Sequence, residues 1–340
     1  MRFSGLAAGL LTFESVFGSA QNSASARNGE MQYRPLGRTG EKVSIVGLGG
    51  SHIGGKDLTD DQATRIMHGA IDGGITFFDN CWDYHDGTSE KRMGDALQGG
   101  YRNKVFLMSK IDGRDAKTAE QQINESLKRL KTDHVDLMQF HEVIRMNDPE
   151  RIFAKGGAME AMLAAQKAGK VRFIGFTGHK DPKIHRHMLD VARQHNFHFD
   201  TVQMPLNVMD AHYDSFAQQV VPVAVKEEIG ILGMKPLGSN FIVQTKAITA
   251  PECLHYAMNL PTSVVITGID SEDVLKQALR AAYEFKPLTN EQVAALLSKT
   301  AQLAKNGQLE KYKSTHYFDG THHNPQWLGP GGEKGQPAPA

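Results

Sequence analysis

The chain has 340 residues, with 38 Lys and Arg against 38 Asp and Glu, a balance that gives no global pull toward nucleic acid or an anionic membrane. That length holds one large α/β domain or two small ones, and no apolar run of about 18 residues follows residue 30, which argues against a membrane span in the folded part. Cys81 and Cys253 are the only cysteines, too few for a disulfide framework or a thiolate zinc site, and no disulfide between them is expected.

In chain order, residues 1–30 read as a signal-like or disordered extension. Arg2 precedes the apolar Leu6-Ala7-Ala8-Gly9-Leu10-Leu11, and Gly18-Ser19-Ala20 offers the small residues of a cleavage site before a polar run. Export to the periplasm is the first expectation; Glu14 within the apolar stretch keeps a cytoplasmic chain with a disordered leader as the alternative. Residues 31–310 read as one domain, and residues 311–340 as a tail rich in His and aromatic residues that ends in a disordered Gly/Pro segment.

The domain opens on a hairpin, Tyr33 to Val43, followed by a buried strand, Val43 to Leu48, that ends in Gly49-Gly50. Gly50 would let the backbone approach a ligand closely. Helices and strands then alternate. Helices are expected from Thr59 to Asp72, Ser89 to Leu97, Thr118 to Leu130, Ala158 to Ala168, Pro182 to Arg193, Phe216 to Glu228, Ala250 to Asn259 and Ser271 to Phe285, with a terminal one from Asn290 to Lys305. The strands between them end at Asp79, Lys110, Phe140, Thr177, Met204, Lys235 and Ile266. Eight strands, each followed by a helix, favour a closed parallel (β/α)8 barrel of the TIM type over a doubly wound sheet, and no G-x-G-x-x-G follows the first strand.

In such a barrel the chemistry belongs at the carboxyl ends of the strands. There the sequence places Asp79, Lys110 and His141 on three successive strands, with Tyr84 on the loop after the first. A phenol with an ordinary pKa near about 10 needs a neighbouring cation to stabilise its phenolate, and Lys110 is that cation. These four residues match the catalytic tetrad of the aldo-keto reductases one by one, and Gly87-Thr88-Ser89-Glu90 and Gly94-Asp95-Ala96-Leu97 resemble the same family. The resemblance implies the barrel fold and a hydride transfer between NAD(H) or NADP(H) and a carbonyl or alcohol (aldehyde, ketone or sugar). In it Tyr84 is the general acid/base, Lys110 and Asp79 support it, and His141 binds the carbonyl oxygen.

The resemblance also places the cofactor. Thr177-Gly178 stands where the family's Ser-Asn pair holds the nicotinamide amide, and Gln203 matches the glutamine that shares the task. Met234-Lys235-Pro236-Leu237-Gly238 stands where an aromatic-Ser-Pro-Leu segment is usual, so Met234 replaces the stacking ring and Lys235 adds a cation for the pyrophosphate. In Gly268-Ile269-Asp270, Asp270 falls where many relatives carry an arginine for the 2′-phosphate of NADPH. The family favours NADP(H); an acid at 270 favours NAD(H). His52, Trp82, His179 and Tyr213 are the expected substrate-pocket residues, the substrate being a small molecule. No metal is assigned; His316, His322 and His323 lack a regular ligand spacing.

Two alternatives belong to other classes. One is a nicotinamide-binding accessory protein without turnover. The other is a metal-dependent barrel hydrolase or isomerase using Asp79, His85, His141, Glu142 and His179, a reading that leaves Tyr84 and Lys110 without a purpose.

Overall fold

The computed structural model describes residues 29–333, so the export signal read in the first thirty residues falls outside the described part, as do residues 334–340. The hairpin is formed by β1 (Tyr33–Pro35) and β2 (Lys42–Ser44), antiparallel with Arg34 beside Val43. Eight parallel strands follow: β3 (Val46–Gly49), β4 (Phe77–Asp79), β5 (Phe106–Ile111), β6 (Val135–Phe140), β7 (Val171–Thr177), β8 (Thr201–Pro205), β9 (Gly230–Met234) and β10 (Val264–Gly268). They pair in chain order, and β10 closes against β3 to give the expected (β/α)8 barrel. Among the described residues no helix is long and apolar enough to cross a membrane.

Strand periodicity aims the site. Side chains alternate faces along a strand, and Phe77, Phe106, Met108, Leu137, Leu232, Val264 and Ile266 fill the lumen as one buried apolar cluster. Asp79 lies two residues beyond Phe77, Lys110 two beyond Met108, and Met234 two beyond Leu232. The polar ends of these strands therefore face the same axis as the apolar plug beneath them. Leu36 and Val43 join that cluster from the hairpin, which closes the amino-terminal end of the barrel. Val43 accordingly belongs to β2 and not, as expected, to the first barrel strand, which starts at Val46.

Most helix ends follow local chemistry. Thr59 and Thr249 each form a capping box with the side chain three residues on, and Asp115, Asp181 and Ser271 cap the helices that follow them. The helix expected over 216–228 is two short ones, Phe216–Gln219 and Val221–Lys226, because Pro222 has no N–H to continue the ladder. The terminal helix ends at Thr300 rather than Lys305.

The helix Thr88–Ala96, which carries the loop of Tyr84, packs tightly on the helix Ala116–Leu130. A Cβ on Gly94 would stand 2.4 Å from the Arg129 carbonyl oxygen and 2.7 Å from the Leu130 carbonyl carbon, both backbone atoms. Gly94→Ala is therefore expected to cost about 1–3 kcal/mol through overpacking, read as a lower urea midpoint. An unchanged midpoint would contradict this contact.

Candidate active site

Asp79 pairs in register with Met108, which brings Lys110, one pleat further, over the Asp79 carboxylate. The Lys110 ammonium forms an ion pair with Asp79 Oδ1, donates to the Asn80 carbonyl at 2.7 Å, and donates to Tyr84 Oη at 3.2 Å. Both charged side chains are buried. Burial works against the ammonium, but Asp79 outweighs it and raises the Lys110 pKa, so Lys110 is a fixed cation. Burial pushes the Tyr84 hydroxyl well up, against the pull of Lys110, so the phenol keeps its proton at neutral pH. That is the form a proton donor needs.

The Tyr84 ring meets the His141 ring edge-on, with centroids 5.9 Å apart. Nδ1 of His141 lies 3.0 Å from Asp112 Oδ1, 3.2 Å from Cys81 Sγ and 3.6 Å from Asp83 Oδ1. Burial lowers the His141 pKa; the Asp83 and Asp112 carboxylates more than offset this and raise it. Burial lifts the Asp83 carboxyl to about 7, with His141 opposing the rise, and pushes the Cys81 thiol well up, so it stays a thiol. The structure thus brings Asp79, Tyr84, Lys110 and His141 into one cluster at the carboxyl end of the barrel.

On the cofactor side, Gln203 Nε2 donates to Asp79 Oδ2 at 2.8 Å, while its Oε1 is buried without a partner. A buried amide oxygen left open in this position fits a nicotinamide carboxamide, whose NH2 would satisfy it. Thr177 Oγ1 is 4.0 Å from Met234 Sδ, so the two residues expected around the nicotinamide are neighbours. Gly178 has a packing reason: a Cβ there would stand 2.4 Å from the Val143 carbonyl oxygen and 2.8 Å from the His185 ring. The close approach at Gly50 is likewise to protein, since a Cβ would meet the Asp79 carbonyl oxygen at 2.4 Å.

After β9 the chain turns through Lys235, Pro236, Leu237 and Gly238, with Lys235 at φ +53° and Gly238 at φ +57°. The left-handed backbone at a non-glycine residue marks a constrained turn. The Lys235 ammonium lies 4.8 Å from the centre of the Phe318 ring, and burial lowers its pKa to about 8, with Glu142 opposing. Gly268 sits under the His52 ring, where a Cβ would approach Cε1 to 2.1 Å. Asp270 is exposed just before Ser271, and Glu272 and Asp273 add two more acids in the first turn of that helix.

The four expected substrate residues do not gather. His52 stands exposed on the Gly268 side of the mouth, and Tyr213 packs against Gly307. Trp82 Nε1 donates to Glu125 Oε2 at 2.7 Å and its ring meets Trp327 edge-on at 5.9 Å. His179 Nε2 is 2.8 Å from Asp319 Oδ1. Trp82 and His179 thus hold the tail, which runs as a strap across the mouth. Glu142 accepts from the Gly320 and Thr321 N–H groups at 2.8 and 2.7 Å, Lys313 pairs with Asp210 at 2.7 Å, and Arg145 donates to the Glu333 carbonyl at 3.0 Å. The strap continues past Gly329, where the sequence suggested no structure.

The five side chains of the metal-hydrolase alternative do not converge: Asp79 is committed to Lys110 and Gln203, Glu142 to the strap, His179 to Asp319, His85 to the Ser51 carbonyl at 2.8 Å, and His141 to Asp112 at 3.0 Å. Sequence reasoning missed Asp83, Asp112 and Asp319. Asp112 carried a signal, since it continues the lumen-facing alternation of Phe106, Met108 and Lys110. Asp319 carried little, because apart from His316, three residues before it, its partners His179 and Lys180 lie about 140 residues away in sequence.

A model of the aldo/keto reductase family matches residues 45–252, more than half of the chain, and the chain belongs to that family of nicotinamide-using oxidoreductases. It is 30% identical over 229 residues to L-galactose dehydrogenase of Arabidopsis thaliana, covering 63% of this chain and 68% of that protein. It is 28% identical over 232 residues to the uncharacterized oxidoreductase YrpG of Bacillus subtilis (strain 168), covering 62% and 68%. Its fold is similar to that of the aldo-keto reductase AKR11C1 from Bacillus halodurans in its holo form, with a TM-score of 0.68 at 20% identity over 82% of this chain and all of that one.

Asp319 is fully buried, and it bonds His179 while pairing with Lys180 at 2.8 Å. Burial would raise its carboxyl pKa, but these two partners hold it well below the ordinary value. A depressed carboxylate stabilises above its unfolded pKa, near about 4, and the contribution fades as pH falls toward the folded value. Asp319→Ala is expected to cost about 3–5 kcal/mol in strap anchoring and to expose residues 310–333 to limited proteolysis at neutral pH; acidification should do the same to the parent chain. Equal protease resistance of variant and parent at pH 7 would contradict the assignment.

Proposed function

We propose that this chain transfers hydride between a nicotinamide cofactor and a small carbonyl or alcohol substrate, with Tyr84 as the acid/base. The observation that carries the reading is the continuous contact from Gln203 through Asp79 and Lys110 to Tyr84 Oη, with the His141 ring alongside. Gln203, Thr177 and Met234 would hold the nicotinamide end, and Lys235 would meet the phosphates. A reduced nicotinamide held there would supply the hydride for the carbonyl carbon.

The chain's own part is the proton. As negative charge grows on the carbonyl oxygen, Tyr84 Oη gives up its proton to it, and Lys110 Nζ stabilises the phenolate left behind. Asp79 keeps Lys110 charged and in place. His141 donates a hydrogen bond to the same oxygen and orients it. In the oxidative direction the phenolate takes the proton back from the alcohol. The strap across the mouth would shield the site from water, and small hydroxylated aldehydes, ketones and sugars are the class the reading suits.

Three acids at or beside one helix start, Asp270, Glu272 and Asp273, would repel a 2′-phosphate, and Asp270 can accept from a free ribose hydroxyl. Fluorescence titration should therefore show tighter binding of NADH than of NADPH, and Asp270→Arg should narrow or reverse the difference. Tighter NADPH binding by the parent chain would remove this role of Asp270.

Tyr84→Phe tests the acid. On a substrate found by a carbonyl and sugar panel, kcat should fall by about 10²–10⁴ while cofactor affinity is kept. Unchanged turnover would remove Tyr84 from the mechanism, and nicotinamide binding without turnover of any compound would favour the accessory-protein reading.

A further inference from the structure

The residues around Nδ1 of His141 go beyond the tetrad. Three acceptor-bearing side chains surround that one nitrogen: Asp112 Oδ1 at 3.0 Å, Cys81 Sγ at 3.2 Å and Asp83 Oδ1 at 3.6 Å. Asp112 is fully buried, and its second oxygen has no partner, so the carboxylate has no neutralising contact other than the imidazole. The pair is also held rigidly. Arg114 donates to the carbonyl oxygens of Asp112 at 2.7 Å and His141 at 2.6 Å, and the His141 N–H donates to the Ile111 carbonyl at 2.8 Å.

An ionised carboxylate can only accept, so the nitrogen facing it carries the proton. If Nδ1 is protonated, a neutral imidazole presents a lone pair at Nε2, and a carbonyl oxygen there would be repelled. Only the doubly protonated ring donates from Nε2, which has no protein partner among the described residues. We propose that Asp112 is a positioning residue that fixes the Nδ1 proton of His141 and, with Asp83, keeps the ring an imidazolium, so that the substrate carbonyl meets a charged donor. This rests on the hydride-transfer reading of the same site.

The groups facing the ring account for its charge. Asp83 and Cys81 come from the loop after β4, Asp112 from the end of β5, and Glu142 from the ring's own loop. Lys110 and Arg114 oppose them, but each is already paired, with Asp79 and with Asp148, and the Tyr84 phenol that meets the ring edge-on is uncharged. Glu142 is spoken for by two strap N–H groups, which leaves Asp112, at 3.0 Å, as the direct counter-charge, with Asp83, at 3.6 Å and lifted by burial to about 7, adding a partial one. A charged donor bonds an oxygen more strongly than a neutral one. Reduction should therefore be fastest at pH values where the ring is protonated and should slow as pH rises through its pKa.

The test is 15N NMR of the histidine-labelled full-length protein, with the His141 signals among the 15 histidines assigned by loss in His141→Asn. At pH 7 both ring nitrogens of His141 should show protonated shifts. In Asp112→Asn the ring should be neutral at that pH, kcat for carbonyl reduction should fall about tenfold, the gap between a charged and a neutral donor, and KM for the cofactor should hold. Asp112→Glu should restore part of kcat. Should Asp112→Asn fail to fold, Asp83→Asn carries the same test with a smaller shift. A neutral His141 with its proton on Nε2 in the parent chain would overturn the proposal, as would zinc in stoichiometric amount at Nδ1. An imidazolium in a chain that reduces no carbonyl would overturn the functional reading and leave the charge assignment standing.

Discussion

An ammonium group sealed under a barrel mouth must find a counter-charge, and Lys110 finds Asp79 one strand away. Leaving either charge alone in that setting would cost about 3–5 kcal/mol, so the pair fixes how β4 and β5 present their ends. Other contacts are then set by it. Asp79 turns its second oxygen to Gln203 on β8, across the barrel, and Lys110 turns its remaining protons to the Asn80 carbonyl and the Tyr84 hydroxyl. A structural ion pair would need neither the phenol nor the open amide oxygen of Gln203. Their presence is what favours reading the cluster as a site for chemistry rather than packing.

The strap is the second constraint. Residues 310–333 cross the carboxyl end of the barrel and are held by charges that are themselves buried, Asp319, Glu142, Lys313 and Arg145 among them. Burying charge in a tail is expensive unless every member is bonded. The tail is therefore one wall of the mouth, and Phe318 reaches the Lys235 ammonium from it. Lys235 thereby stands between the strap and the strand ends.

Local sequence signals carried the barrel and the tetrad because both depend on short-range chemistry. Alternation along β4, β5 and β6 sends Asp79, Lys110 and His141 to one axis. Thr59 and Ser271 announce helix starts through their hydroxyls, whereas the break at Pro222 was hidden by an apolar spacing that reads as one helix. What the sequence concealed depends on distance along the chain. Trp82 and His179 looked like pocket walls because they flank the strand ends; only the fold reveals that Glu125 and Trp327 occupy the first and Asp319 the second. Tyr213, placed by proximity to Gln203 in sequence, is carried away to Gly307 by the loop between them. The grip of Asp112 on His141 needed two strand ends to be superposed before it could be seen.

The claim beneath all of this is that a cofactor hydride reaches a carbonyl carbon inside the Tyr84, Lys110 and His141 cluster. The most direct measurement is isotope transfer: incubate the full chain with deuterated NADH or NADPH and a panel of carbonyl compounds, and locate the label by mass spectrometry. The account predicts deuterium on the carbinol carbon of at least one product, and none when Lys110 is replaced by Met. Label that stays on a bound nicotinamide with every compound, or that transfers undiminished in Lys110→Met, would contradict it.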